Sequence, residues 1–429
     1  NWLAAKDQAM LAEYDRDRRW ATTYRLDLNN PAAKDTFFDL SVNDDYNDPG
    51  QPVYERQPNG DYVLAQDGEW VYFDNAGASP EGEFPHLDRL NLRTKQKEVL
   101  YQCPPNAFEE FMAFVGKDRN RVITRYQSKK EVPNFVLVNL ATKEHKALTR
   151  FTDPAPQLTG IEKRLVKYTR KDGVPLSGTL YLPTTYRPGE RLPLFIWAYP
   201  LEYSDAATAG QVRGSDNTFT FYRNDSPLFF ATQGYAVLMD ATIPIVGDPE
   251  TMNNTFVEQA TSSGRAAIDY LDSLGIIDRN RVGVGGHSYG AFMTANLLAH
   301  SDDYAYGIAR SGAYNRTLTP FGFQSERRSF WEAQDIYMNV SPFTHADKIN
   351  EPLLLIHGEA DNNPGTHTMQ SERLYQAIKG NGGTARLVLL PHESHGYRAR
   401  ESVLHVLAET FDWAAKNGTR KVQAGAGRP

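Results

Sequence analysis

The apolar positions of the chain follow two regimes that meet near residue 155. Before that point they alternate with polar residues in short stretches, separated by turns rich in Asn, Asp, Gly and Pro. Period-two alternation predicts strands that bury one face, and turns at this density predict an antiparallel all-β region. The segment "FTDPAPQLTG", with Pro154 and Pro156, reads as a linker. Beyond it, continuous apolar runs take over at 192–199, 234–240, 281–286, 306–312, 352–358 and 385–391. Each predicts a strand buried on both faces. Helical patterns at 256–274, 289–300, 367–379 and 401–416 lie between or after these runs. Alternating strand and helix predict a parallel sheet with helices on both faces, an α/β fold. The tail "KVQAGAGRP" reads as mobile. The expected domains are therefore 1–155, 156–418 and a tail over 419–429.

The β region contains an internal repeat. "LDRLNLRTKQKEVL" from Leu87 and "FVLVNLATKEHKAL" from Phe135 align Asn91-Leu92 with Asn139-Leu140 and Thr94-Lys95 with Thr142-Lys143, 48 residues apart. A more distant relative, "TYRLDLNNPAAKDTFF" from Thr23, aligns at Asp27-Leu28. Strand-rich repeats of this period suggest β-propeller blades. Two or three blades do not close a propeller, and an open one exposes strand edges. The sequence also starts "NWLAAKDQAM", with neither an initiator Met nor a signal peptide. Earlier blades are therefore expected on an N-terminal fragment of the same precursor, as a partner chain or a removed segment. The alternative is a three-sheet β domain complete as it stands.

Composition narrows the function classes. With 40% hydrophobic and 12% aromatic residues the 429-residue chain can build a packed core. A formal charge of -7, without a clustered Lys/Arg stripe, excludes a nucleic-acid footprint. The single Cys103 excludes an internal disulfide framework. No apolar run reaches the roughly 18 residues that span a bilayer. The compartment is left open, with a bacterial periplasm or cell envelope preferred over cytoplasm or plastid stroma.

Candidate chemistry centres on "VGVGGHSYGAFMTANLLAH", residues 282–300, in which Gly286-His287-Ser288-Tyr289-Gly290 joins a predicted strand to a predicted helix. A bare G-x-S-x-G arises about 0.1 to 0.2 times by chance in a chain of this length. The strand–turn–helix context makes Ser288 a candidate nucleophile. A serine alcohol needs a base, and the base an orienting acid. Both follow in the order of an α/β-hydrolase, Asp361 in "LLLIHGEADNN" and His395 in "LVLLPHESHGY", each past a strand-like run. Ser288 would attack a carbonyl carbon while His395 takes its proton and Asp361 holds the imidazole. The Tyr289 backbone N–H would donate to the oxyanion, a contribution of roughly 3 to 4 kcal/mol. His287 and His392 are the competing histidines, and the His287 side chain is expected to point elsewhere on so tight a turn. "HESH" lacks metalloprotease spacing, so neither a catalytic metal nor another cofactor is expected.

A β-repeat region joined to a hydrolase carrying "GGHSYGAF", "IHGEADNN" and "ESHGY" resembles the prolyl oligopeptidase family of serine peptidases, across essentially the whole chain. "WAYPLEY", "GQVRGS", "GYAVLMDATIPIVGD", "NTFVEQ", "ARSGAYNRTLTPFGFQ" and "SPFTHADKI" are similar to its glutamyl endopeptidase branch. The resemblance implies an α/β-hydrolase catalytic domain preceded by the C-terminal blades of a propeller, and peptide substrates. It carries over the triad Ser288, Asp361 and His395, and implies that Asn363 lies by the pocket for the residue preceding the scissile bond. Relatives also supply a side-chain donor to the oxyanion. Ungapped alignment places Trp197 there, whereas Tyr199 needs a shift; Tyr199 is preferred. In proline-cutting relatives the strand after the nucleophile helix leads into an apolar pocket lining. Here "ARSGAYNR" puts Arg310 and Arg316 in that stretch. A buried guanidinium lacking a carboxylate costs several kcal/mol, so such a pocket invites an acidic side chain. Hydrolysis after Glu, with Asp weaker, is therefore expected. Arg213 and Arg223 are secondary candidates, and salt bridges from the arginines to Glu326 or Glu332 would leave a neutral pocket. The rival functions are a dipeptidyl or acylaminoacyl peptidase, an esterase using the same triad, and a non-enzymatic scaffold. A propeller filter argues against the esterase, and the intact triad argues against the scaffold.

Overall fold

The recurring Asn-Leu-x-Thr-Lys signature is a hairpin turn made twice. The Asn91 side chain accepts from the N–H of Arg93 (3.0 Å) and Thr94 (2.9 Å), as Asn139 does from Ala141 (3.0 Å) and Thr142 (3.1 Å). Lys95 and Lys143 then take matching left-handed conformations, φ 58° and 60°. An Asx turn followed by an αL residue closes each hairpin, which is why these residue types recur at this spacing. The structure, a computed structural model, describes residues 1–4 and 7–420; the expected tail lies outside the described residues from 421 onward.

The chain divides into two compact units. The first comprises Asn1–Thr159 together with Gln211–Phe221, an excursion from within the sequence of the second. It contains antiparallel sheets in sequence-local order. Gln8–Asp15, Trp20–Asp27 and Lys34–Ser41 form one, and Phe108–Val115, Arg121–Gln127, Asn134–Asn139 and His145–Ala147 form a four-stranded meander. Between them in the sequence, Trp70–Asn75, His86–Asn91 and Lys97–Gln102 anchor a five-stranded sheet. Leu87 and Tyr101 of that sheet pack with Phe111, Val122 and Val138 of the meander. One carboxylate also spans the seam: Glu109 accepts from the hydroxyls of Tyr101 (2.6 Å) and Thr124 (2.6 Å), so its burial leaves neither oxygen unpaired. These sheets are propeller blades, and the fold class is that of an α/β-hydrolase domain preceded by them.

The second unit is built on an eight-stranded sheet. Its strands are β1 (Glu162–Thr169), β2 (Pro175–Leu182), β3 (Leu192–Tyr203), β4 (Ala236–Val246), β5 (Ile277–His287), β6 (Tyr306–Arg310), β7 (Leu353–Gly358) and β8 (Ala385–Leu390), in the spatial order β1-β2-β4-β3-β5-β6-β7-β8. From β4 to β8 the sheet is parallel, as the apolar runs predict. At the other edge β1 and β2 pair antiparallel, and β2 meets β4 antiparallel, so the sheet is mixed rather than wholly parallel. This hairpin carries no continuous apolar run, because "EKRLVKYT" mixes charged residues with Leu165, Val166 and Tyr168 along an edge strand.

Helices α1 (Phe256–Ser273), α2 (Tyr289–His300), α3 (Gln334–Val340), α4 (Met369–Gly380) and α5 (Arg400–Asn417) complete the unit. Period two decides which face each strand residue serves. Leu353 and Leu355 join the core containing α1, α2 and α4, whereas Leu354 and Ile356 pack with Val406 and Trp413 of α5. Residues Tyr289 to Ala299 of α2 are all buried, so this helix lies inside the core with no polar face.

One half-buried acid before β7 gives a stability prediction. Burial, with a smaller contribution from Asp302 and against Arg420, pushes the Glu351 carboxyl up to about 7. Its Oε2 has no hydrogen-bond partner. The folded state thus favours the protonated acid, and that stability is lost as pH rises from the ordinary carboxylate range through about 7. Glu351→Gln should raise the melting temperature by about 2–4 °C at pH 8 and leave it unchanged at pH 4, read by calorimetry.

Candidate active site

The turn between β5 and α2 leaves no room for side chains at its glycines. A Cβ on Gly286 would lie 2.3 Å from the Gly290 carbonyl carbon, and one on Gly290 would lie 2.5 Å from the Ala198 carbonyl oxygen. The only residues tolerated there lack a Cβ. Ser288, caught between them, adopts φ 58° and ψ -115°. Such a conformation costs of order 1–3 kcal/mol in a non-glycine residue and persists only where the surroundings enforce it. Its N–H donates to Arg310 O (2.8 Å), tying the turn to β6.

Asp361 and His395 meet at a second close approach. A Cβ on Gly358, at the end of β7, would lie 2.3 Å from Ser394 O and 2.4 Å from Glu393 O. The Glu359 and Ala360 N–H groups donate to Leu390 O (3.0 Å) and Glu393 O (2.9 Å), fastening the acid loop to the histidine loop. Glu393 closes the latter, accepting from the N–H groups of Arg398 (2.9 Å) and Ala399 (2.8 Å) at the start of α5. His395 Nδ1 lies 2.9 Å from Asp361 Oδ2. With Nδ1–H facing the carboxylate, Nε2 is the ring's acceptor.

Sequence reasoning missed a histidine in this cluster. His357 is fully buried, with Nε2 at 3.0 Å from the same Asp361 Oδ2 and 2.7 Å from Thr366 O, and Nδ1 at 2.7 Å from Ser371 Oγ. Two acceptors at Nε2 require Nε2–H, so Nδ1 accepts from the Ser371 hydroxyl. Burial holds its pKa down, although Thr366 O and Asp361 pull upward. Thr366 Oγ1 (3.1 Å) also donates to Asp361 Oδ2, and the Asn363 N–H (3.0 Å) donates to Oδ1. Burial works to raise the Asp361 carboxyl, but His395, the Asn363 N–H and His357 together hold it below its ordinary value. The signal for His357 lay in "LLLIHG", where an imidazole interrupts a strand buried on both faces.

Ser288, Tyr289, Arg316, Gln324, Asn363 and Thr366 are among the walls of one cavity of about 440 Å³. Thr366 Oγ1 lies 3.1 Å from His395 Nδ1, so the cavity wall reaches the imidazole. The Tyr199 hydroxyl, on β3, lies near Gln324 and Ser288. Burial raises its pKa and keeps it a proton donor. The Tyr199 ring stands edge-on to Tyr289 at 5.8 Å.

Arg316 lies on the turn after β6 and is 4% exposed. Its guanidinium sits over Phe292 (4.2 Å), Phe323 (4.6 Å) and Tyr289 (5.6 Å). Nε has no hydrogen-bond partner, and among the described residues no carboxylate forms an ion pair with it. Burial pushes its pKa down to about 10, with Tyr289 and Glu202 opposing, so it remains a cation at neutral pH. Buried Glu202 is engaged by the Tyr289 hydroxyl (2.9 Å) and Ser325 Oγ (3.3 Å).

Other expected site residues lie elsewhere. Arg310 is 3% exposed but spent internally: Nη1 donates to Asp225 O (2.9 Å) and Oδ2 (2.9 Å), and the group stacks on Trp197 at 4.9 Å. Neither Arg310 nor Trp197 lines the cavity, because both are committed to this internal stack. Arg213 pairs with Asp45 (2.6 Å) in the first unit, and Arg223 is not a cavity wall. The suggested acceptors of a neutral pocket are otherwise engaged, Glu326 with Arg328 (2.8 Å) and Glu332 with Ser329 (2.7 Å). His287 does not point away as expected. Its ring packs against His395 at 4.7 Å, and burial, His395 and Arg310 push its pKa to about 4. It is a neutral wall beside the imidazole. His392 is exposed. No group of three or more metal-ligating side chains is found among the described residues.

Comparison with known proteins adds a family. The Prolyl oligopeptidase family profile matches residues 262–420, and that of the X-Pro dipeptidyl-peptidase (S15 family) matches 172–317. The chain is 44% identical over 420 residues to a probable chloroplastic glutamyl endopeptidase of Arabidopsis thaliana, covering 94% of this chain and 44% of that protein. A protein of the same description from Oryza sativa subsp. japonica is 44% identical over 409 residues, 90% of this chain and 44% of its own length. The chain thus spans less than half the length of these relatives. Their chloroplast location does not favour the envelope setting expected above. No helix among the described residues is long and apolar enough to cross a membrane. Among solved structures, dipeptidyl peptidase 4 of Porphyromonas gingivalis superposes with a TM-score of 0.66 at 14% identity, over 97% of this chain and 62% of that one. A puromycin hydrolase does so with 0.64 at 19%, over 99% and 70%.

The shared carboxylate makes His357 testable. A hydrogen bond to a buried charge is worth about 1.5–3 kcal/mol. His357→Leu should therefore slow fluorophosphonate labelling of Ser288 by about 10- to 100-fold in protein whose circular dichroism is unchanged. Labelling at the wild-type rate would show that Asp361 needs no second imidazole.

Proposed function

The chain belongs to the prolyl oligopeptidase family, and from that premise we propose that it is the catalytic part of a serine peptidase that hydrolyses peptide bonds after glutamate. Ser288 Oγ attacks the scissile carbonyl carbon as His395 Nε2 accepts its proton. Asp361 holds the ring in the Nδ1–H tautomer and stabilises the imidazolium that forms. The Tyr289 N–H, at the start of α2, and the Tyr199 hydroxyl donate to the oxyanion. His395 then returns the proton to the leaving amine, and water repeats the sequence on the acyl-enzyme.

Arg316 carries the specificity reading. It is a buried cation on an aromatic platform, ion-paired with no carboxylate among the described residues, in the wall of the cavity that holds Ser288. The platform offsets part of the desolvation of the guanidinium. A glutamate side chain supplies the rest through charge-assisted hydrogen bonds. An aspartate, one methylene shorter, reaches less well, and a glutamine leaves the cation unpaired. The description of the plant relatives as glutamyl endopeptidases supports the same reading.

Fluorogenic peptides differing only in the residue before the reporter test this. Losing one partner of a buried charge pair costs about 2–5 kcal/mol, so kcat/KM for Glu should exceed that for Gln by about 30-fold or more. Arg316→Met should remove most of that ratio, and Ser288→Ala should abolish turnover. Equal cleavage after Glu, Gln, Ala and Pro would overturn the glutamate reading while leaving a serine peptidase in place.

A further inference from the structure

The loop that follows the Arg316 turn displays aromatic side chains that its own hydrogen bonding does not require to be exposed. Residues 318–331 are firmly built. Gly322 N–H donates to the Tyr337 hydroxyl (2.9 Å), which donates in turn to Arg328 O (2.7 Å). Phe330 N–H closes the loop onto Pro320 O (2.7 Å). Buried Glu326 accepts from Arg328 Nε (2.8 Å) and from Asn253 Nδ2 (3.3 Å). A Cβ on Gly322, at φ 106°, would lie 2.5 Å from Glu326 O, so the turn holds one shape.

On this frame Phe321 is 81% exposed and Trp331 62% exposed, with ring centroids 5.6 Å apart. The aromatic contact continues inward. Trp331 meets Phe330 at 5.8 Å, Phe330 meets Tyr337 at 5.7 Å, and Tyr337 meets Phe323 at 5.3 Å. Phe323 is part of the platform under Arg316. Phe321 and half-exposed Leu318 also line the Ser288 cavity, so the exposed pair is continuous with that site. Contiguous exposed apolar surface on a well-ordered loop marks a binding surface, and rigid aromatic side chains lose little entropy on contact.

We propose that Leu318, Phe321 and Trp331 form a second substrate-contacting surface that takes a large apolar side chain adjacent to the glutamate. This rests on the glutamate reading above. The acidic side chain descends to Arg316, and its apolar neighbour lies across the rim. The preferred substrates are then peptides in which Glu adjoins Leu, Phe or Tyr, rather than acidic runs.

Internally quenched peptides test it in two arms, with Leu, Phe, Ser or Lys placed immediately before or immediately after a single Glu. The expected result is a preference of about tenfold in kcat/KM for Leu or Phe over Ser in one arm, the size of one well-packed aromatic contact. In the F321S/W331S double variant this ratio should fall to within about twofold of unity. It is measured on one enzyme sample, so any unfolded fraction cancels. A wild-type protein that cuts after Glu with no neighbour preference in either arm overturns the rim alone, as does a preference that survives in the double variant. A wild-type protein indifferent to Glu overturns the rim together with the reading on which it rests.

Discussion

The candidate site depends on how closely three pieces of backbone approach one another. Gly286 abuts Gly290 across the turn, and Gly290 abuts Ala198 of β3. These contacts hold Ser288 in a conformation it would not choose, and they place the β3 backbone against the start of α2. Tyr199, the residue after Ala198, therefore carries its hydroxyl to the vicinity of Ser288. Gly358 performs the same service two strands along from β5, letting the acid loop lie directly on the histidine loop. Adding a methyl group at Gly286, Gly290 or Gly358 would push backbone against backbone, which no rotamer change relieves. The reactive geometry is thus stored in the core packing of β3, β5, α2 and β7 rather than in flexible loops.

That packing sets two imidazoles on one buried carboxylate, stacks a third against the outer of the two, and gives them different duties. His287 is pushed to about 4 by burial and by its neighbours, so it presents a neutral face to His395. His357 is held neutral by burial, with its Nε2–H committed to Asp361 and Thr366 O. His395 meets Asp361 and Thr366 through Nδ1 and is partly exposed, so its Nε2 is left for the cavity, whereas His357 meets the same two residues through Nε2 and is fully buried. The carboxylate stays ionised because His395, His357, Thr366 and the Asn363 N–H donate to it. A charged His357 would compete with His395 for the same oxygen, and its burial prevents that.

The parts of this arrangement that were legible in the sequence are those fixed by local pattern. Continuous apolar runs located β3 to β8, since strands buried on both faces leave no polar alternation. The Asn-Leu-x-Thr-Lys repeat located two hairpins, since an Asx turn followed by an αL residue constrains residue type directly. The order Ser288, Asp361, His395, just past the ends of β5, β7 and β8, gave the nucleophile, acid and base candidates. What escaped were relations that local residue pattern does not encode. The edge hairpin β1–β2 carries no continuous apolar run to mark it. The role of His357 depends on Ser371 and Thr366 reaching it from the next loop and helix. The contact between His287 and His395 depends on β5 and the histidine loop converging.

The two arginines of "ARSGAYNR" show why spacing alone could not assign specificity. Arg310 ends β6 and Arg316 opens the next turn, so both are buried and both are near the nucleophile in sequence terms. Their difference lies in what faces them. Asp225 arrives from a segment some 85 residues away and neutralises Arg310, while Trp197 covers its plane. Around Arg316 the equivalent positions are filled by Tyr289, Phe292 and Phe323, which attract a cation without neutralising it. Glu202, the carboxylate whose charge it feels most, is engaged by Tyr289 and Ser325. A cation held this way is stable enough to be buried and poor enough in partners to bind one. Replacing the aromatic platform with a carboxylate would fill the cation's need internally, and the cavity beside Ser288 would lose its reason to prefer an acidic side chain.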